Sequence, residues 1–114
     1  MPEEPLLAPG DAEISDESEI LWEVVALNAR VNQRWEELII RAPSSAARCY
    51  HNLQTAPTTR QAGRVYPLKW KTYKGGWGYE VTGGDRVYYM PDPATRKVVV
   101  YYAGPHPKDV PRPP

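Results

Sequence analysis

Residues 77–102 read WGYEVTGGDRVYYMPDPATRKVVVYY, and this stretch decides the fold. It contains three runs rich in β-branched and aromatic side chains, which favour β-strands: Trp77–Thr82, Arg86–Met90 and Lys97–Tyr102. The breaks at 83–85 and 91–95 consist of Gly, Asp, Pro, Ala and Thr and have the composition of hairpin turns. The stretch therefore predicts an antiparallel meander. Its last run is apolar on both faces, as expected for a central strand that helices cover on one side.

Two short helices are predicted before the meander. Asn28 is a suitable N-cap for the first helix. The apolar face of that helix is formed by Val31, Trp35, Leu38 and Ile39. Ala42-Pro43 ends it, because proline lacks a backbone donor and restricts the preceding residue, and Pro43 is also a favourable first residue for the next helix. The apolar face of the second helix, which stops before Pro57, is formed by Ala46, Tyr50 and Leu53. So short a break predicts a helical hairpin.

A strand at residues 20–27 is predicted before the helices, and another at Val65–Lys71 after them. The order β-α-α-β-β-β indicates an α+β fold, with the helical hairpin packed on a small antiparallel sheet. We expect residues 20–27 at an edge of this sheet. The apolar residues Trp35, Leu38 and Ile39 of the first helix are expected to pack on the sheet face that carries Val81, Val87 or Val99.

The charges are distributed unevenly, although the formal net charge is 0. Residues 1–27 contain eight acidic residues and no Lys or Arg, whereas the rest of the chain contains 14 basic and six acidic residues and so carries +8. A cationic body of this kind indicates a polyanionic partner. We expect residues 1–18 to form a flexible acidic extension, residues 19–106 the folded domain, and residues 107–114 a proline-rich tail without regular structure.

Several classes of protein are excluded by composition. No run approaches the roughly 18 apolar residues of a membrane-spanning helix, and the acidic start lacks the basic region of a signal peptide, so we expect a soluble cytoplasmic protein. The single cysteine, Cys49, does not allow a disulfide framework. With His51 and His106 as the other soft ligands, we expect no metal and no cofactor.

A set of short motifs follows the predicted helical hairpin in a characteristic order: Pro67-Leu68-Lys69, Gly76-Trp77, Tyr79–Gly83, Asp85–Tyr89 and then His106. With these motifs, residues 20–106 resemble the RelE/ParE superfamily of toxins from bacterial toxin-antitoxin pairs, and most closely its YoeB and RelE ribonuclease branch. The resemblance implies a RelE-like fold and ribosome-dependent, metal-independent cleavage of messenger RNA by attack of a 2′-hydroxyl on the adjacent phosphate. The implied partners are a cognate antitoxin protein, the ribosome and messenger RNA.

The resemblance also implies roles for individual residues. Arg86 matches the arginine that would bind the scissile phosphate, and Lys69 matches a second cation. His106 occupies the place of a catalytic histidine, and its side chain is suited to proton transfer at neutral pH. Tyr66 stands where YoeB-like enzymes carry a glutamate general base, so Glu80 on the neighbouring strand is the substitute candidate. The alternatives for Arg86 are a solvated cation on the strand and a structural pairing with Asp85 or Glu80.

The cationic and aromatic residues beside Lys69 are candidates for binding RNA: Lys71, Lys74, Trp70 and Tyr73. Two other functions stay open at this point. One is a non-enzymatic toxin like the ParE branch, which inhibits DNA gyrase by binding, and the other is a small β-rich module that binds RNA or protein. One further hypothesis is that the acidic extension folds over the basic face and weakens RNA binding by mimicking phosphate.

Overall fold

The computed structural model describes residues 2–10 and 21–114. These residues form an α+β structure in which two helices pack on one mixed sheet. The helices are α1 (Ala29–Arg41) and α2 (Pro43–Thr55), and a short 3-10 helix covers Lys71–Tyr73. The strands are β1 (Glu4–Pro5), β2 (Glu23–Ala26), β3 (Val65–Pro67), β4 (Trp77–Glu80), β5 (Asp85–Asp92) and β6 (Lys97–Pro105).

The strands are arranged in the order β1-β2-β6-β5-β4-β3. The predicted meander is confirmed, because β4, β5 and β6 pair antiparallel in sequence order. The expectation of a purely antiparallel sheet is wrong, since β2 pairs with β6 in parallel, with Glu23 opposite Lys97 and Ala26 opposite Val100. Parallel neighbours need a long crossover, and the helices with the three intervening strands supply it. Strand β2 is also not at the edge, because β1 covers its outer side.

The strand boundaries differ from the predicted ones. The strand predicted over 65–71 ends at Pro67, and residues 71–73 form the 3-10 helix instead. The strand predicted over 20–27 is reduced to Glu23–Ala26, and residue 20 lies outside the described part of the chain. Strands β5 and β6 are longer than predicted, because their mutual pairing continues to Asp85 and Pro105.

Both predicted helices are present with the predicted ends. The Asn28 side chain caps α1 by accepting a hydrogen bond from the Val31 amide at 3.0 Å. Helix α1 ends at Arg41, and Pro43 is the first residue of α2, so Ala42 alone separates the two helices. A proline at this position loses no hydrogen bond, because the first amides of a helix have no partner within it.

The core lies between the helices and one face of the sheet. Trp35 and Leu38 of α1 are fully buried there, together with Val81 and Val87. The third predicted position was Val99, and it is wrong: Val98 and Val100 face the helices instead. Because side chains alternate along a strand, Val99 lies on the opposite face.

The first residues of the chain pack against the sheet and α1. Strand β1 pairs with β2, and Leu6 is only 3% exposed in the core. The Trp35 indole nitrogen donates a hydrogen bond to the Leu7 carbonyl at 2.7 Å. The flexible extension expected from composition is therefore packed over residues 2–10, because its few apolar side chains find a place in the core. Residues 11–18 of that extension lie outside the described residues.

Asn32 in α1 holds this N-terminal arm through three contacts. Its Oδ1 accepts a hydrogen bond from the Leu7 amide at 3.0 Å, and its Nδ2 donates to Glu4 Oε1 at 2.7 Å and to the Pro5 carbonyl at 3.1 Å. An Asn32→Ala change removes all three bonds, and we expect a loss of about 1–3 kcal/mol in the free energy of unfolding. Urea unfolding followed by tryptophan fluorescence measures this loss.

The matched control is Gln33→Ala, which removes an exposed amide side chain from the same helix. We expect this change to stay within about 0.5 kcal/mol of the unchanged protein. Equal effects of the two substitutions would show that the contacts of the arm contribute nothing to stability.

Candidate functional site

The sheet has a second face, opposite the helices, on which most of the candidate residues lie. Strand alternation places Val87 and Tyr89 in the core and turns Arg86 and Tyr88 to the other side. Tyr66 on β3 lies on the same side, above Gly78 of β4: a side-chain carbon added to Gly78 would meet the Tyr66 ring at 2.6 Å. We call this surface the helix-free face.

A row of tyrosines crosses the helix-free face. In the strand register, Tyr66 is opposite Gly78, Gly78 is opposite Tyr88, and Tyr88 is opposite Tyr102. The register shifts after Tyr88, so that Tyr101 has no partner of its own, as in a β-bulge. As a result the rings of Tyr101 and Tyr102 both lie close to Tyr88, with centroids 6.5 and 5.7 Å away.

The hydroxyl groups of Tyr88 and Tyr101 are weaker acids than an ordinary tyrosine. Burial, together with the neighbouring Tyr66, raises the pKa of Tyr88 to about 12. Burial raises the pKa of Tyr101 as well. Both side chains therefore stay protonated at neutral pH, where they are hydrogen-bond donors and are not suited to act as general bases.

Arg86 lies in this face beside the β4–β5 turn, with only 9% of its surface exposed. Its Nη1 donates hydrogen bonds to the carbonyls of Thr82 at 2.8 Å, Asp85 at 3.0 Å and Gly83 at 3.3 Å. Its Nη2 lies 3.4 Å from Glu80 Oε1, so the two candidate residues form an ion pair. The structural pairing that the sequence left open is thus present with Glu80, and the arginine braces the turn.

The same turn is fixed to α1 through Asp85. Arg41 Nη2 donates to Asp85 Oδ1 at 2.7 Å, and the Thr82 hydroxyl donates to Asp85 Oδ2 at 2.8 Å. Burial acts to raise the pKa of Asp85, but the hydrogen bonds from Arg41 and Thr82 outweigh it, so the net pKa lies below its ordinary value. The β4–β5 turn is therefore held both from within and by the helix.

His106 lies next to this turn, just beyond β6. Its backbone amide donates a hydrogen bond to the Gly84 carbonyl at 2.8 Å. Its imidazole is exposed, with Nδ1 2.9 Å from the Pro107 carbonyl. The structure thus places the Glu80–Arg86 pair and the backbone of His106 at the same end of the sheet, beside the β4–β5 turn.

The other candidate residues lie in or beside a groove at the edge of the sheet that β3 forms. Lys69, Trp70 and Tyr73 line this groove, which has a volume of about 510 Å³, and its wall is completed by the loop at 60–63, Tyr66, Leu68 and Val110. Trp70 is 73% exposed, which is unusual for so large an apolar side chain. We call this site the Trp70 groove.

Lys71 and Lys74 are exposed beside the Trp70 groove, on and just after the 3-10 helix. Lys69 is also exposed, and Arg60 adds another cation from the loop at 60–63. The groove therefore combines accessible aromatic rings with several positive charges. Tyr66 lines the groove, and its ring lies over Gly78, two residues before Glu80 on β4, so the two groups of candidate residues share one face of the sheet.

Three residues of this surface were not among the candidate residues expected from the sequence: Arg60, Tyr66 and Val110. Tyr66 was noted only as the residue that replaces a glutamate, although its position next to Pro67-Leu68-Lys69 on a strand was a usable signal. Arg60 and Val110 reach the groove through loops, which leave no pattern in the sequence. Among residues 2–10 and 21–114, no group of three His, Cys, Asp or Glu side chains is placed to hold a metal ion.

Comparison with models of known protein families gives no match for this chain, and no curated protein shows significant sequence similarity to it. In the described residues, neither α1 nor α2 is long and apolar enough to cross a membrane. The fold and the two groups of residues therefore carry the functional argument.

An Arg86→Ala change leaves three turn carbonyls and the Glu80 carboxylate without their partner. We expect it to lower the free energy of unfolding by about 1.5–3 kcal/mol, the usual value for hydrogen bonds to a charged group. Thermal and urea unfolding measure the loss. Lys69→Ala is the control, because this exposed candidate should change stability by no more than about 0.5 kcal/mol. An Arg86→Ala protein of unchanged stability would contradict the bracing role.

Stability should also depend on the titration of Asp85. Since its folded-state pKa is depressed, its contacts stabilise the fold above the unfolded-state pKa of about 3.9, and this contribution is lost as the pH falls through the folded-state value. The difference in unfolding free energy between the unchanged protein and Asp85→Asn should therefore shrink from pH 6 to pH 3. Urea unfolding at both pH values measures it, with the exposed Asp109→Asn as control. A difference independent of pH would rule this linkage out.

Proposed function

We propose that this chain is a toxin of the RelE/ParE type with a RelE-like fold, and that it binds messenger RNA on the ribosome and cleaves it. The observation that carries the proposal is the combination of the Trp70 groove with the Glu80–Arg86 pair on one surface. A surface that binds single-stranded RNA combines aromatic rings, on which the bases stack, with cations that contact the phosphates, and this surface has both.

The energetics of binding support a single-stranded ligand. Stacking of one base on an aromatic side chain contributes about 1–3 kcal/mol, and Trp70 is 73% exposed for such a contact. Lys69, Lys71 and Lys74 would neutralise phosphates and release their counterions, which makes binding sensitive to salt. The base faces of double-stranded RNA are less accessible to a tryptophan of this kind, because paired bases are already stacked on one another.

The chemistry in this proposal needs no metal. Glu80 accepts the proton of the attacking 2′-hydroxyl, and His106 donates a proton to the leaving 5′-oxygen. Lys69 and Arg86 offset the negative charge that develops on the phosphate. The hydrogen bonds from Arg86 to the turn carbonyls hold its guanidinium rigidly beside this charge.

The contacts of Arg86 favour a second candidate function. Its Nη1 already donates to three carbonyls, which leaves fewer free donors for a phosphate than an unbound arginine has. A toxin that acts by binding alone, as the ParE branch does on DNA gyrase, requires no such phosphate contact. A non-toxic module that binds RNA or protein would use the same groove.

The proposed setting is the cytoplasm, where ribosomes are. The proposed partners are the ribosome, its messenger RNA and a cognate antitoxin. An antitoxin with an acidic segment would complement the charge of +8 that residues 28–114 carry.

Induced expression followed by primer extension tests the proposal. We expect growth to stop and new messenger RNA ends to appear in ribosome-bound transcripts. His106→Ala should abolish the new ends, and Trp70→Ala should weaken RNA binding about tenfold, the equivalent of 1.4 kcal/mol of stacking. Ile40→Ala, which changes a residue 81% exposed on α1, is the control and should leave both unchanged.

The outcomes separate the candidate functions. Growth arrest without new RNA ends, or arrest that His106→Ala does not relieve, would contradict cleavage and support a toxin that binds only. A supercoiling assay with DNA gyrase then tests the ParE-like alternative. Harmless expression together with RNA binding would leave the interaction module, and harmless expression without RNA binding would overturn the whole proposal.

A further inference from the structure

The proline-rich segment 107–114 lies across the helix-free face. Tyr101 Oη donates a hydrogen bond to the Pro111 carbonyl at 3.3 Å. Pro114 lines a cavity together with Met90 and Val99, which belong to β5 and β6 on this same face. The segment has no regular secondary structure, as the sequence predicted, yet it is packed on the sheet.

The segment packs on the sheet through its apolar side chains. Pro107, Val110, Pro111 and Pro113 are half-buried, whereas the charged side chains are exposed: Lys108, Asp109 and Arg112. Proline-rich ligands dock on surfaces of aromatic side chains, and here tyrosines form the surface.

The surface under the segment includes a slot that a larger residue would fill. A side-chain carbon on Gly76 would lie 2.8 Å from Pro113 Cγ and 2.9 Å from Tyr101 Oη. Gly76 does not have a positive φ, so the backbone allows other residues here. Glycine at this position therefore serves the close approach of Pro113.

The segment also reaches the Trp70 groove, because Val110 forms part of its wall together with Tyr66 and Lys69. A nucleic-acid strand that passes from the groove towards the Glu80–Arg86 pair has to cross the path of the segment. The proline-rich segment and the nucleic acid therefore compete for the same surface.

We infer that the helix-free face is a binding site for a proline-rich segment, that residues 107–114 occupy it, and that they must leave before RNA binds along the face. The occupancy stands on the contacts above, and the competition rests on the proposed function. Opening is inexpensive, because the apolar side chains of the segment are only half-buried.

Two variants of the full chain displace the segment in different ways. Gly76→Ala places a carbon where Pro113 packs. The second variant replaces Pro107, Val110, Pro111 and Pro113 by Ser, which removes the apolar contacts and retains all three charges of the segment. Gly10→Ala is the matched control, because a side-chain carbon at Gly10 meets nothing within 4 Å.

Trypsin cleavage after Lys108 measures occupancy without RNA. We expect both variants to be cleaved several times faster there than the unchanged protein and the Gly10→Ala control. A synthetic peptide of residues 105–114 should bind to the four-serine variant, as seen from chemical shift changes at Tyr101. Unchanged cleavage rates in the four-serine variant, or a peptide that does not bind it, would overturn the occupancy even if Gly76→Ala failed to fold.

Fluorescence anisotropy with a labelled ten-nucleotide single-stranded RNA measures the competition. We expect about threefold to tenfold tighter binding by both variants, which corresponds to a surface that is open about one third to one tenth of the time in the unchanged protein. Added peptide should reverse the gain in the four-serine variant. Weaker or equal RNA binding by that variant would overturn the competition.

The failure of the inference and the failure of the proposed function are distinguishable. If no form of the protein binds RNA, the proposed function fails and so does the competition, while the cleavage and peptide results still decide the occupancy. If RNA binds equally to all forms, the RNA function stands and the competition fails.

Discussion

Pairing of β6 on both of its edges is the constraint on which the rest of the structure depends. Its antiparallel register with β5 and its parallel register with β2 fix which of its side chains face the helices, since a slip of one residue would turn all of them over. Val98 and Val100 thereby meet α1 and α2 in the core. The bulge at Tyr101 arises within the same strand pair, so the tyrosines of the helix-free face are set by it as well.

The β4–β5 turn serves two demands that compete for the same side chains. Arg86 donates hydrogen bonds to the turn carbonyls, and Asp85 accepts them from the Thr82 hydroxyl and from Arg41. In a solvent-exposed turn, water would make these hydrogen bonds. Those contacts hold Glu80 in place through the ion pair with Arg86. Rigid placement favours chemistry on a bound phosphate, because preorganised charges need no rearrangement, but it also withdraws donors from the ligand. A binding function depends much less on this turn and more on the Trp70 groove.

Local patterns predicted the parts of the fold that local interactions decide. The Asn28 cap and the Ala42-Pro43 break depend on neighbours in sequence and are where the sequence indicated, and the two hairpin turns, at 81–84 and 93–96, lie within two residues of the predicted breaks. The parallel pairing of β2 with β6 joins residues more than 70 positions apart. The hydrophobic pattern of the sequence does not show whether two such distant strands pair in parallel or antiparallel. The packed N-terminal arm was missed because an acidic, proline-containing composition hides Leu6. For the site, residue types near Lys69 and Arg86 were informative, but their division into two groups depends on the path of the chain.

The distribution of charge on the folded chain explains why a net charge of 0 does not argue against a polyanionic ligand. Glu3 pairs with Lys97 and Glu4 with Asn32, so these acidic residues lie at the β1 end of the sheet, with Lys97 at the start of β6. The Trp70 groove is beside β3 at the other edge of the sheet, and β6, where Glu3 meets Lys97, is three strand spacings from β3, about 14 Å at the usual spacing of about 4.8 Å. The Debye length at physiological salt is about 8 Å. A nucleic acid bound in the groove therefore interacts with the nearby lysines, while the charges of the acidic arm are largely screened from it. Residues 2–10 thus do not cover the basic groove as a phosphate mimic would, and within the described residues the segment beside the groove is 107–114, whose exposed side chains carry both signs of charge.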